Sequence, residues 1–263
     1  MRRLTQLAEV APGILVRQSS FALTNTTVIT GGRGQALVVD PGVTVEELAD
    51  LSRSMAVRGL RVAVGFSTHP HWDHVLWCGD LGAVPRYAAS RAVRIAQEER
   101  PGMVEMLERS APGHDLALFG DLTPLPAGSA AIPWDGPMAG AITHHGHAPG
   151  HTALFLPDAG ILLAGDMLSD VEVPLLDLVE SDPLADYRRG LERLAAVEGV
   201  RVLIPGHGHV GDAGEFRRRV DADVRYLDDL EHGREIHDGR LAGAPEWLLR
   251  SHAAQVRHAR HRE

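Results

Sequence analysis

Three imidazoles and one carboxylate fall within six consecutive positions, His69-Pro70-His71-Trp72-Asp73-His74. Imidazole nitrogen and carboxylate oxygen are ligands for zinc, iron and manganese. The run follows Thr68 and an apolar stretch, Val62-Ala63-Val64-Gly65-Phe66, that reads as a buried strand. A strand that stops at such a cluster delivers several ligands to one edge of a sheet. Alternate side chains point in different directions, so one short turn can serve two metal ions. With 15 His in the chain, an isolated His at a strand end means little. The spacing gains meaning only if further ligands end other strands.

Further ligands do. Ala148-Pro149-Gly150-His151-Thr152 sets a His beside a Pro-Gly turn, just before the apolar run Ala153-Leu154-Phe155-Leu156. Ile161-Leu162-Leu163-Ala164-Gly165-Asp166 is an apolar strand ending in Gly-Asp, and Val202-Leu203-Ile204-Pro205-Gly206-His207 is another ending in Gly-His. Glycine before a ligand permits a tight backbone and removes bulk beside the metal. The total is five His and two Asp, enough for two metal sites that share a carboxylate.

In these residues the chain resembles the metallo-β-lactamase-fold hydrolase superfamily. The matching segments are T-H-P-H-W-D-H, P-G-H-T, A-G-D and P-G-H-G, in the family's order from Thr68 to Gly208, with Val38-Val39-Asp40-Pro41-Gly42 as the strand and turn ahead of them. The resemblance implies that His69, His71 and His151 hold one metal, that Asp73, His74 and His207 hold the other, and that Asp166 bridges both. Two departures narrow the branch. Asp166 stands where the di-zinc β-lactamases carry a Cys ligand. His71 stands where the di-iron flavoprotein oxidoreductases carry Glu. Five imidazoles and two carboxylates suit two zinc ions, with iron or manganese able to occupy the same shell. The single cysteine, Cys78, four residues past His74, reads as a buried apolar residue.

The chemistry follows from the ligands. Two divalent cations about 3.5–4 Å apart share a water and lower its pKa towards neutrality. The hydroxide attacks a carbonyl or phosphoryl centre while one metal steadies the developing oxyanion. Asp73 is the candidate catalytic residue, orienting the nucleophile and passing on its proton; a role as ligand alone stays open beside it. The expected activity is hydrolysis of a small ester, thioester, lactone or related acyl compound. Glyoxalase-like thioesterases and acyl-homoserine-lactone lactonases are the nearest analogies. The alternatives are a phosphodiesterase or nuclease on the same centre, a mononuclear iron dioxygenase, and a non-catalytic metal-binding module.

Composition narrows the partners. The net charge is -9, and the runs Arg217-Arg218-Arg219 and Arg257 to Arg262 are respectively flanked by acids and terminal. That counts against a nucleic-acid partner. No apolar stretch approaches the roughly 20 residues a membrane helix needs, and no apolar run follows the charged start Met1 to Gln6. One Cys excludes an intrachain disulfide framework. The expectation is a cytoplasmic enzyme with a small-molecule substrate; the oligomeric state is not encoded in these features. All 26 fixed basic side chains are Arg, which removes Lys as base or Schiff-base former.

The elements that must position the ligands follow from periodicity. Strands are expected at 14–18, 26–30, 36–39, 62–66, 141–143, 153–156, 161–164 and 202–204. Helices are expected at 44–57, 88–99, 183–197, 213–231 and 245–257. Thr44, Glu46 and Glu47 suit a helix start. The stretch 101–140 reads as a long connection with one short helix near 103–109. Strands grouped with helices outside suggest an α+β fold, an αββα sandwich formed by one domain over 1–263, with halves at about 1–135 and 136–263. The resemblance implies the same fold. Smaller roles are open for several residues. Asp40 could fix a ligand tautomer, His147 could line the pocket, and Tyr87, Tyr187 or Tyr226 could donate to an oxyanion. Trp72 and Trp77 could form a pocket wall or core. Asp170, Glu172 and Asp177 are expected at the surface.

Overall fold

The computed structural model describes residues 5–260. The first four residues and the last three lie outside them, His261 and Arg262 of the terminal basic run included. The described chain forms two facing sheets with helices on both outer faces, the αββα sandwich that the sequence led us to expect.

The first sheet holds seven strands in sequence order: β1 (Ala8–Ala11), β2 (Ile14–Gln18), β3 (Asn25–Thr30), β4 (Gln35–Val39), β5 (Arg61–Phe66), β6 (Arg86–Ala88) and β7 (Thr123–Pro124). The first four pair antiparallel; from β4 onward the pairing is parallel. The second sheet runs β12 (Gly211–Asp212), β11 (Val202–Pro205), β10 (Ile161–Gly165), β9 (Thr152–Leu156) and β8 (Gly140–Thr143). Here only β10 and β11 are parallel. Four of these strands escaped the periodicity, namely β1, β6, β7 and β12. They have two to four residues each, too few for an alternation to show.

Side-chain alternation explains the layers. On β4, Leu37 and Val39 face the other sheet, whereas Ala36 and Val38 face the helices α1 (Val45–Val57), α2 (Ser90–Glu98) and α3 (Arg100–Ser110). On β10, Ile161 and Leu163 point inward, whereas Leu162 and Ala164 meet α4 (Pro183–Ala195), α5 (Ala213–Glu231) and α6 (Glu246–Arg260). Strands buried on both faces read as unbroken apolar runs, which is why both were legible. The expected helix starts also appear. Thr44 accepts from the Glu47 N–H, and the Glu47 carboxylate returns to the Thr44 N–H, a reciprocal cap.

This topology decides where the site sits. Parallel pairs put their C-terminal ends at the same end of the sandwich. β4 and β5 end there before Asp40 and Thr68, and β10 and β11 end there before Asp166 and His207. Three backbone hydrogen bonds join the two halves at this end, from the Asn25 N–H to the Gly206 carbonyl (2.6 Å), from the Gly208 N–H to the Leu23 carbonyl (3.1 Å) and from the Thr152 N–H to the Thr68 carbonyl (2.8 Å). No helix among the described residues is long and apolar enough to cross a membrane.

Leu154 on β9 is fully buried in the layer between the sheets. Truncation to Ala leaves a cavity that rigid strands on both sides cannot close. Leu154→Ala should therefore lower unfolding stability by roughly 2–5 kcal/mol, read as a shift in the urea midpoint at unchanged slope.

Candidate metal centre

Six segments meet at the seam. The turn after β5 brings His69, His71, Asp73 and His74; Asp166 follows β10, His207 follows β11, and the 144–151 loop before β9 brings His147 and His151. Asp40 after β4 and the loop between β2 and β3 stand behind them. His69, His71, His147 and Asp166 form one group of ligand atoms and Asp73, His74 and His207 a second, each within 4.8 Å. Asp166 touches both. Its Oδ2 lies 3.3 Å from His69 Nε2, 3.4 Å from His147 Nε2 and 3.2 Å from His207 Nε2, and its Oδ1 lies 3.3 Å from His74 Nε2. Asp73 Oδ2 is 3.3 Å from His207 Nε2 and 3.6 Å from His74 Nε2. His71 is the exposed member.

The ring tautomers are fixed from behind. Asp40, at φ 48, accepts from the Thr68 N–H (2.8 Å) and hydroxyl (2.7 Å) and from His74 Nδ1 (3.0 Å). The Thr68 hydroxyl, its proton given to Asp40, accepts from His69 Nδ1 (3.0 Å). The Ala22 carbonyl accepts from His207 Nδ1 (3.0 Å). With Nδ1 donating in each ring, the neutral forms of His69, His74 and His207 turn an Nε2 lone pair inward, free for a metal ion once any proton there is displaced. These lone pairs converge, with His74 and His207 facing Nε2 to Nε2 at 3.2 Å. His71 Nδ1 sits 3.0 Å from His69 Nε2 and 3.1 Å from His147 Nε2, and one ring nitrogen cannot satisfy both. Asp166 Oδ1 is buried with no hydrogen-bond partner. Such a set is frustrated until a cation enters it. The residues present fit metal ions.

Electrostatics agree. Burial alone disfavours charge on His74, but the carboxylates of Asp166, Asp73 and Asp40 outweigh it and hold the pKa well above the usual value. His207 is raised in the same way, against burial, by Asp166 and Glu172. Burial dominates at His69, which lies well below the usual value. Burial would raise Asp166, yet His207, His74 and His69 prevail and keep it ionised. Asp73 is likewise lowered against burial by His74 and His207.

His151 does not enter either group. Its Nε2 accepts from the Asp166 N–H (3.1 Å), and its Nδ1 bonds His144 Nε2 (3.2 Å). The resemblance implies His151 as a ligand; in the structure His147, at φ 68, is the residue that joins the first group of ligand atoms, and His151 braces the Asp166 backbone. A signal was present: Gly146-His147 has the same Gly-His form as Gly150-His151. The glycines act as supposed. A side chain on Gly206 would run into Asp166 Oδ1, and one on Gly165 into the His151 ring.

Other candidates resolve differently. Glu172 is buried rather than at the surface, 3.8 Å from His207 Nδ1, and burial pushes its carboxyl up to about 7. Asp170 is half-buried and holds His209. Tyr187 is core, and Tyr226 is tied to His252 and Gln255. Trp72 is buried edge-on to Phe21 at 5.1 Å, beside the cluster. Trp77 is buried under the Arg86 guanidinium. Cys78 is half-buried against the first helical layer, ahead of a short 3-10 turn rather than on a helix, and burial raises its thiol pKa.

Comparison with known proteins matches the chain to one family. The metallo-beta-lactamase superfamily model fits residues 20–207. The probable metallo-hydrolase YqjP of Bacillus subtilis is 39% identical over 70 residues, 24% of this chain and only 22% of that protein. The hydroxyacylglutathione hydrolase of Acidiphilium cryptum is 25% identical over 90% of this chain and 86% of its own length. Among solved structures, a metallo-beta-lactamase family protein from Thermus thermophilus superposes with a TM-score of 0.65 at 24% identity, covering 86% of this chain and 83% of that one. The chain belongs to the metallo-beta-lactamase superfamily.

Proposed function

We propose that this protein is a dinuclear zinc hydrolase of a small ester, thioester, lactone or related acyl compound. One observation carries the reading: a single buried carboxylate, Asp166, contacts two sets of converging ligand atoms. His69, His71 and His147 would hold one ion, and Asp73, His74 and His207 the other, with Asp166 between them. The all-nitrogen-and-oxygen donor set suits zinc. The similarity to a hydroxyacylglutathione hydrolase supports acyl chemistry.

When bound, the ions supply Lewis-acid polarisation and lower the pKa of a water in the site. Asp73 stays ionised at the edge of the second set, where it would orient that water and carry its proton to the leaving group. Asp40, Thr68 and the Ala22 carbonyl lock the rings, so little reorganisation accompanies the reaction.

A panel of thioesters, lactones, β-lactams and phosphodiesters tests the class. Turnover of an acyl substrate is expected, and turnover confined to phosphodiesters would overturn it.

Metal content tests the ligand set. The wild type should carry about two zinc ions per chain. His147→Ala should lose about one of them, and turnover should fall by more than the roughly 10–100-fold that losing an outer partner costs. His151→Ala should keep more metal than His147→Ala; the reverse order would return His151 to the ligand set.

Proton release gives a third test. In the metal-free protein His74 and His207 bind protons more tightly than usual, so a metal ion must displace them. Their raised pKa values place this competition above pH 6.5, the ordinary His value. Zinc affinity of the second set should therefore keep climbing as pH rises beyond that point. His69, already neutral there, adds no slope. Calorimetry in buffers of different ionisation enthalpy counts the protons, and zero release just above pH 6.5 would contradict the assignment.

A further inference from the structure

A groove of about 420 Å³ runs along α5 from Glu215 to Asp229, closed on its other side by the turn 236–240. None of the candidate metal ligands lines it. Its size falls within the range of small-molecule sites. Ala222, Ile236 and Tyr226 give it an apolar stretch, and Arg218, Arg219, Arg225 and Arg240 give it four positive charges.

The charges are not equally available. Arg240 is held by Asp223 and Asp238, and Arg218 and Arg219 share Glu215. Arg225 is exposed and forms none of these close ion pairs, although its charge helps to lower the pKa of Asp238, which is itself held by Arg240. Deeper in the wall, the buried Arg219 Nη2 has no hydrogen-bond acceptor and stands 3.7 Å from Asp170. Four lining acids, Asp170, Glu215, Asp229 and Asp238, balance the four arginines. That balance leaves no surplus for a polyphosphate. Within that balance, Arg225 is the exposed guanidinium that stands outside the close ion pairs, beside Ala222 and Ile236.

We propose that this groove is a second ligand site, taking a small molecule with one carboxylate and an apolar tail. The carboxylate pairs with Arg225, and the tail lies on Ala222 and Ile236. The site is joined to the metal centre through its floor. Ser169 donates to the His207 carbonyl (2.9 Å), and Arg240 donates to the carbonyls of Ser169 (3.2 Å) and Glu172 (3.0 Å). The proposal stands whether or not the chain hydrolyses acyl compounds.

Titration calorimetry of the metal-loaded protein with hexanoate, octanoate and inorganic phosphate tests it. Saturable binding of one carboxylate per chain is expected, tighter for octanoate than for hexanoate. Arg225→Gln should weaken it about 10-fold, the worth of one charge-assisted hydrogen bond. Ala222→Phe, which fills the groove, should abolish it. Both positions are partly or fully exposed, so thermal unfolding checks that the variants fold as the wild type does. Three results would overturn the proposal: no saturable carboxylate binding, phosphate binding tighter than octanoate, or unchanged carboxylate affinity in both variants. The last would place the carboxylate elsewhere, the metal centre included.

Discussion

A carboxylate taken out of water must be compensated, and Asp166 is the charge around which this molecule is arranged. Its side chain is 5% exposed and faces four imidazoles within 3.4 Å. An isolated buried carboxylate would neutralise itself by taking a proton. Here the surrounding rings prevent that and keep it ionised. The same field holds protons on His74 and His207 in the absence of a stronger cation. The site is thus a cage whose charge balance is completed by cations, and the backing hydrogen bonds only make sense as devices that aim lone pairs inward.

The scaffold keeps that cage from relaxing. Strain is concentrated where the backing groups sit. Asp40, His147, Ala22 and Leu23 all hold positive φ without being glycine, a conformation that persists only where packing and hydrogen bonds over-determine it. Around Ala22 the determinants are visible. The Glu47 carboxylate collects the Ser19 hydroxyl and the Ser20 and Val43 N–H groups, anchoring the loop to the start of α1. Asn25 then donates to the carbonyls of Pro205 and Gly208, clamping the turn that carries His207. The two sheets meet through these bonds, so the ligand sets are held in register by groups that never touch the ligands' inward faces.

Legibility followed period and length. Long apolar strands such as β4, β5 and β10 announced themselves because both faces are buried, and α1, α4 and α5 did so through spacing and caps. The short edge strands did not, since two to four residues carry no period. At the site, the H-x-H-x-D-H run and the Gly-Asp and Gly-His strand ends marked the chemistry. The H-A-P-G-H segment could not be resolved the same way. His147 and His151 each follow a glycine, and only three-dimensional placement separates them. Glu172 was misplaced for a related reason, because an acid in a loop reads as solvated unless something shows the loop folding inward.

The sequence by itself determined the chemistry and the class of fold: which donor types are present, that they close apolar strands, and how strands and helices alternate. Those are local properties, written in residue type and spacing. The tertiary structure decided which imidazole points at Asp166, which carbonyl or carboxylate fixes each ring, and that a charge-balanced groove lies behind the site. Those depend on contacts between residues as far apart as Ala22 and His207. Such contacts arise where separately specified elements pack against one another, and no periodicity within either element encodes the meeting.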